Sequence, residues 1–260
     1  MGSTWGNQLK ISIFGESHGK GVGLVMDGFP AGFDCDLEFI KEEMARRAPG
    51  QSVLTTGRKE ADQTEILSGM LENITTGAPI SMMIRNTDTH SSDYENLRRV
   101  PRPGHSDYTG GVRYRGNNDI RGGGHFSGRL TAPIVFAGAL CKDFLRKRHH
   151  VEIGSHIYSV GGVCDQPFDL ASVDRDLLIR LRQEALPLIH PEAEEKIRAT
   201  VDQARRELDS VGGVIECAVV GAAAGVGSPI FQNVESRIAS ILYSIPAVKG
   251  VEFGMGFAIS

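Results

Sequence analysis

The 32 glycines of this chain crowd at residues 15–24, 104–128 and 212–227, each crowd beside a stretch with strand or helix periodicity. Glycine reaches backbone conformations closed to other residues and lets a ligand approach the main chain, so these crowds predict ligand-contacting turns of one domain, 1–260, rather than linkers. The first crowd constrains the fold most sharply. Leu9, Ile11 and Ile13 alternate with Lys10 and Ser12, and Val22 to Met26 resumes the pattern, so the chain must run strand, turn, strand. The turn, Phe14-Gly15-Glu16-Ser17-His18-Gly19-Lys20-Gly21, sets a carboxylate, a hydroxyl and an imidazole between glycines. An imidazole titrates near neutrality and can pass a proton to a ligand.

The second crowd ends in Arg121-Gly122-Gly123-Gly124-His125-Phe126-Ser127-Gly128-Arg129 and feeds a helix with Ile134, Ala137, Cys141 and Phe144 or Leu145 on its apolar face. A helix start preceded by glycines offers unpaired N–H groups and a positive dipole end, and Arg129 adds a fork of donors; together they suit phosphate or carboxylate. Thr131 competes as the cap, and Pro133 is expected to delay or kink the first turn. The loop lacks the G-K-[ST] ending of a Walker motif.

Elsewhere the pattern is scaffold. Asp36 caps a helix with Leu37, Ile40 and Met44 on one face, and Arg46 and Arg47 complement its dipole in the last turn. Residues 66–71 and 80–84 read as a hairpin joined through Asn73 to Gly77. Residues 151–160, 214–220 and 248–259 read as strands, and residues 191–208 as an exposed helix with Ile197, Val201, Ala204 and Leu208 inward. Asn233 is placed to cap a helix bearing Ile238, Ile241, Leu242 and Ile245.

A net charge of −4 argues against a general nucleic-acid or anionic-membrane binder, so any anion specificity is local. No basic-then-apolar leader opens the sequence and no apolar run reaches 18 residues, which makes a cytoplasmic location the expectation. Cys35, Cys141, Cys164 and Cys217 are widely spaced without a C-x-x-C pair, so neither a metal site nor a disulfide framework is expected, and burial as small apolar residues is.

Two chemistries compete for the first turn. Gly15-Glu16-Ser17-His18-Gly19 satisfies G-x-S-x-G, which would make Ser17 a hydrolase nucleophile, yet an elbow of that kind needs a helix directly after the serine and the residues that follow look extended. The rival is a site for a phosphorylated acid in which histidines donate protons and arginines hold anions.

Several long stretches in one order carry a resemblance: the Gly15–Gly19 turn with Val25-Met26-Asp27-Gly28-Phe29-Pro30, Arg46-Arg47-Ala48-Pro49-Gly50, Arg58-Lys59-Glu60-Ala61-Asp62-Gln63, Asn86-Thr87-Asp88, Arg102-Pro103-Gly104-His105-Ser106-Asp107-Tyr108, the Arg121–Thr131 loop, and Ala247-Val248-Lys249-Gly250-Val251-Glu252. Over its whole length the chain resembles the chorismate synthase family. That resemblance implies an α+β fold of helices sandwiched between antiparallel sheets, a homotetramer, and elimination of phosphate from 5-enolpyruvylshikimate-3-phosphate in a 1,4 sense, with reduced FMN and no net redox change. It implies His18 and His105 as catalytic residues, the first at the leaving phosphate and the second at the flavin. Ser17, Arg47, Arg102 and Arg129 are the implied substrate contacts; His125, Phe126, Ser127, Pro246 and Ala247 are the implied flavin contacts. Arg47 is also the implied contact for NADPH, should the chain reduce its own flavin rather than use an external reductase.

The sequence departs from the family pattern at Val53, where many relatives carry arginine, and at His125-Phe126-Ser127-Gly128-Arg129, where Arg-Ser-Ser-Ala-Arg is common. It also stops at Ser260 within an apolar run. The expectation is a C-terminally incomplete chain without the family's last segment, which supplies a flavin-phosphate loop and an aspartate implicated in removing the ring proton. A catalytically dead truncated homologue is the corresponding alternative.

Overall fold

The computed structural model describes residues 2–48, 62–87 and 91–260; Pro49-Gly50, Val53, residues 58–61 and Asp88 lie outside them. The described residues fall into two compact units: 2–48, 62–143 and 236–251 form the first, and 144–235 and 252–260 the second.

In the first unit, strands β1 (Thr4–Gly6), β2 (Lys10–Gly15), β3 (Gly21–Asp27), β4 (Thr64–Ser68) and β7 (Ile80–Arg85) form an antiparallel sheet in the order β1-β2-β3-β7-β4. Period-2 alternation decides which face is buried. Val22, Leu24 and Met26 of β3 stand opposite Ile84, Met82 and Ile80 of β7, and all six are buried; cross-strand apolar pairs of this kind are the unit of sheet stabilisation. On the other face the ring of Phe14 lies over Gly23, its register partner, where a Cβ would sit 2.5 Å from the ring. The expected pairing of residues 66–71 with 80–84 is present as β4 against β7, with a bulge between Ile66 and Ser68. The connection is longer than one turn: β5 (Met70–Leu71) and β6 (Ile74–Thr75) form their own small hairpin, closed by Glu72 and Asn73 with φ of +49° and +68°, the backbone that a two-residue hairpin loop demands.

Helix α1 (Leu37–Arg47) begins where the Asp36 carboxylate accepts from Phe39 N–H, 3.0 Å, and it buries Phe39, Ile40 and Met44. It runs antiparallel to α3 (Thr131–His149): Asp36 N–H donates to Asp143 Oδ2 (2.8 Å), Lys142 reaches Glu43 (2.9 Å), and Arg47 Nε donates to Thr131 Oγ1 (3.3 Å). The deepest residues of α3 are Ala132, Phe136, Ala139, Leu140 and Asp143; of the expected face Ala137 is buried, whereas Ile134, Cys141, Phe144 and Leu145 are half-buried beside that stripe. Pro133 neither delays nor breaks the helix, because the first turn needs no N–H from it. Between the sheet and α3 lie a 3-10 turn over Ser91–Arg98, α2 (Asp107–Arg113), and 3-10 turns over Arg121–Phe126 and Gly128–Leu130.

In the second unit, β8 (Glu152–Val160), β9 (Val163–Cys164) and β10 (Gly213–Val220) pair antiparallel in the order β10-β8-β9. Helix α4 (Arg175–Gln183) is capped by Asp174 and packs Leu178 and Leu181 with Phe168; Gly154 of β8 permits the approach, since a Cβ there would meet Leu178 at 2.8 Å. Buried His156 links the sheet to the following loop through Glu216 (2.9 Å) and Asp165 (3.4 Å). Helix α5 (Ala193–Arg206) buries Ile197 and Ala204 as expected, whereas Leu208 lies past its end, 96% exposed with φ +55°.

Helix α6 (Val234–Leu242) meets the edge of the first sheet: Trp5 Nε1 donates to Ser240 Oγ (3.0 Å) and Arg237 lies over the Trp5 ring. The strand expected over 248–259 is absent. Gly254 and Gly256 take φ of +59° and +51°, and a 3-10 turn occupies Gly256–Ile259. Cys35 is buried and burial pushes the Cys141 thiol up to about 11, but Cys164 and Cys217 are exposed, contrary to expectation. Among the described residues no helix is long and apolar enough to cross a membrane, and no cluster of His, Cys, Asp and Glu could hold a metal ion.

Candidate active site

The turn after β2 is held in shape by backbone and by one amide. Gly15 takes φ +96°, Gly19 N–H closes onto Glu16 O (3.0 Å), and Asn86 Nδ2 donates to the carbonyls of both Glu16 (2.9 Å) and Gly19 (3.0 Å). Ser17 N–H donates to Gly124 O (3.1 Å), which ties the turn to the second glycine loop. Ser17 is 1% exposed and the chain enters β3, not a helix, within four residues. This is no nucleophile elbow. The His18 ring stands edge-to-face on Tyr94, centroids 5.0 Å apart.

The loop that receives these groups can be built only from glycine. Gly122, Gly123 and Gly124 all have positive φ (+58°, +84° and +55°). A Cβ on Gly122 would overlap His18 Nδ1 and lie 2.8 Å from Ser17 Oγ; one on Gly123 would lie 3.0 Å from His105 Nε2. Two adjacent residues thus abut the two imidazoles, which places residues 18 and 105 against one stretch of backbone although 87 positions separate them in sequence.

His105 sits just before α2, and Asp107 opens that helix. The Asp107 carboxylate is buried, with its side chain 2% exposed. It accepts from Arg102 Nε (2.8 Å), Arg102 Nη2 (3.0 Å) and Arg102 N–H (3.0 Å), and it stands 2.7 Å from His105 Nδ1. The hydrogen bonds from Arg102, then the nearby His105, hold its carboxyl well below the usual carboxylate range. A depressed carboxylate contributes stability that is complete above its unfolded pKa and is lost as pH falls through the folded value. Asp107→Asn should therefore flatten the loss of stability below about pH 4, a slope that urea unfolding at successive pH values measures. The Arg102 side chain remains 39% exposed, and its guanidinium lies 6.0 Å from the Tyr94 centroid.

Arg47 and Arg129 converge on Asp62, whose side chain is fully buried: Arg47 Nη1 donates to Oδ2 at 2.5 Å and Arg129 Nη1 pairs with Oδ1. Arg129, 2% exposed at its side chain, also donates from Nε to Asn86 Oδ1 (3.1 Å). Asp62, Arg129 and Asn86 thus form a continuous chain of hydrogen bonds that ends on the turn bearing His18.

The remaining expected residues divide. His125 bonds Gly15 O (2.8 Å) and Ser3 Oγ (2.9 Å), Phe126 packs on Tyr114 and over Gly110, and Ser127 accepts from Arg129 N–H to cap the second 3-10 turn. All three make contacts within or against the glycine loop. Pro246 and Ala247 are exposed after α6, Ala247 with φ +70°. Sequence reasoning assigned no role to Asp62, Asn86, Tyr94, Asp107 or Asp119. Asp119 pairs with Arg121 (2.7 Å), which lowers its pKa, with a smaller contribution from His18. The spacing of Asp107, two residues past His105, was the one local signal available.

The family model for chorismate synthase matches residues 9–260. The chain is 44% identical over 258 residues to a protein of Korarchaeum cryptofilum named chorismate synthase, covering 98% of this chain and 70% of that protein. It is 43% identical to one from Methanosarcina acetivorans (98% and 68% covered) and 41% identical to one from Roseiflexus castenholzii (100% and 70%). A crystal structure of chorismate synthase superposes with a TM-score of 0.77 at 31% identity, over 97% of this chain and 71% of that one. With its mixed helices and antiparallel sheets and these matches, the chain belongs to the chorismate synthase family.

Proposed function

We propose that this chain eliminates phosphate from 5-enolpyruvylshikimate-3-phosphate to give chorismate. The C–O bond breaks with its electron pair leaving on phosphate, the ring proton passes to water, and the electrons of that C–H bond complete the new diene, so no net oxidation occurs. One observation carries the reading: His18 and His105 both lie against Gly122-Gly123, with Arg102 beside His105. Such a donor set suits two anionic groups, a phosphate ester and a reduced flavin.

The residues present fit that flavin. Nε2 of His105 and Cβ of Ser127 approach the Gly123 position, 3.0 Å and 3.7 Å from a Cβ placed there, and this reading takes the flavin to be FMN, with Ser127, His125, Phe126, Pro246 and Ala247 as further contacts. When bound, the reduced flavin supplies electron density that loosens the C–O bond. His18 holds a proton for the departing phosphate, and Ser17 shares its turn. His105 presents Nε2 toward the flavin as the atom that gains and gives a proton. Arg102, partly exposed, binds and orients substrate anions, and Arg47 and Arg129, two cations sharing the single carboxylate of Asp62, leave a net positive charge for the same role. In this reading the protein is cytoplasmic and works as a homotetramer. Exposed Val214, Ile215 and Val219 on edge strand β10 support a partner.

The test is anaerobic incubation with the substrate and chemically reduced FMN, followed by assay of chorismate. His18→Ala and His105→Ala should each lower turnover about 10²-fold or more, as loss of a proton-transfer group does; near-normal turnover in either removes that residue's role. Covalent labelling of Ser17 by a fluorophosphonate would overturn the lyase reading in favour of a hydrolase. The same assay with NADPH replacing the chemical reductant identifies the electron source, and turnover would assign flavin reduction to this chain, which this reading places with Arg47 as the NADPH contact.

A further inference from the structure

We propose that Asp107 is the positioning residue that fixes which nitrogen of His105 faces the glycine loop. The inference rests on His105 being a proton-holding group of the site just described, but the geometry behind it involves no ligand. His105 Nδ1 lies 2.7 Å from Asp107 Oδ1, whereas Nε2 is the ring atom nearest the Gly123 position, 3.0 Å from a Cβ placed there. A carboxylate accepts only, so Nδ1 must carry the hydrogen and Nε2 is left as the atom that gains or gives a proton on the open side.

Asp107 also engages Arg102 through three hydrogen bonds. That second engagement is needed because Arg102 Nη2 approaches both ring nitrogens, 3.3 Å from Nδ1 and 3.5 Å from Nε2. A guanidinium so close to an imidazole is a pure donor and would otherwise compete for the Nδ1 lone pair. One buried carboxylate therefore sets the tautomer and offsets the adjacent cation. The other groups at this end are Tyr94, which stacks on Arg102, and Ser127 and His18, which flank Gly123 and Gly122.

Substituting Asp107 by asparagine keeps the shape and changes the logic. Asparagine offers one carbonyl, and Arg102 is the stronger claimant for it; the amide N–H₂ then faces His105 Nδ1 and donates to it, which forces the hydrogen onto Nε2. A carboxylate that holds a catalytic imidazole in one tautomer acts in this way in serine proteases, where its amide replacement leaves geometry intact and turnover low.

The experiment is long-range ¹H–¹⁵N correlation of histidine-labelled protein at a pH where imidazoles are neutral, with His105 assigned by its absence in His105→Gln. The expected result is the Nδ1–H tautomer in the unsubstituted chain and the Nε2–H tautomer in Asp107→Asn. Turnover in that variant should fall about 10²-fold with KM changed less than about threefold, and Asp107→Glu should restore the Nδ1–H signature. An Nε2–H tautomer in the unsubstituted chain, which needs no variant to fold, overturns the proposal; so does an Asp107→Asn protein that keeps Nδ1–H. Because the spectrum requires neither flavin nor substrate, this failure is distinguishable from failure of the lyase reading, which appears only in the chorismate assay.

Discussion

Gly122→Ala should abolish most turnover, by 10²-fold or more, and destabilise the protein by about 2 kcal/mol or more. Two costs combine at this position. An alanine at φ +58° pays the left-handed penalty, roughly 1–2 kcal/mol, and its methyl group overlaps His18 Nδ1 and crowds Ser17 Oγ. The backbone cannot retreat easily, because Gly123 N–H donates to Ile120 O and Gly124 O accepts from Ser17 N–H. The imidazole must move instead, and displacement of a reacting group by about 1 Å can cost 10²-fold. A double-mutant cycle separates the two costs. In His18→Ala/Gly122→Ala the overlap with the ring is gone, so part of the lost stability should return while turnover stays low. Thermal unfolding and the chorismate assay read the two quantities. Near-normal turnover in Gly122→Ala would mean that the His18 ring does not need the place the glycine leaves for it.

What the sequence made legible follows from how local each signal is. The strand-turn-strand of β2 and β3 is written in alternation and glycines within about twenty residues, and the α1 cap in one aspartate three residues from the N–H it accepts. Helix α4 carried a comparable signal, Asp174 followed by Leu177, Leu178 and Leu181, yet sequence reading passed over it. The residues 248–259 misled because alternation of apolar residues says nothing of whether a partner strand exists to accept the hydrogen bonds. In the site, His18 and His105 were reached through motif and resemblance, and their shared contact with Gly122-Gly123 follows only from the fold. The bridging carboxylates were out of reach for the same reason: Asp62 pairs with arginines 15 and 67 positions away, separations that no periodicity records. Arg129 shows the consequence. Read alone it is a surface anion hook; in the structure it is a buried cation whose first duty is to Asp62 and Asn86.

Asp62→Ala should be more damaging than substitution of either arginine that pairs with it, with an expected loss of about 3–5 kcal/mol, because it leaves uncompensated charge in the interior. The Arg129 side chain is 2% exposed and Arg47 20% exposed, so in Asp62→Ala two guanidinium groups face one another with little water to screen them. Arg47→Met removes the more exposed cation and leaves Asp62 paired with Arg129, so its cost should be smaller. Combining Asp62→Ala with Arg129→Met should recover part of the loss, since the buried charge then leaves with its partner. Urea unfolding of the four proteins measures the order. The effect should also reach the chemistry. Arg129 orients Asn86, and Asn86 closes the turn that carries His18, so Asn86→Ala, which breaks only the last link, should lower turnover by more than its modest loss of stability explains. If Asp62→Ala proves no less stable than Arg47→Met, Asp62 is not the charge that holds this end of the site together.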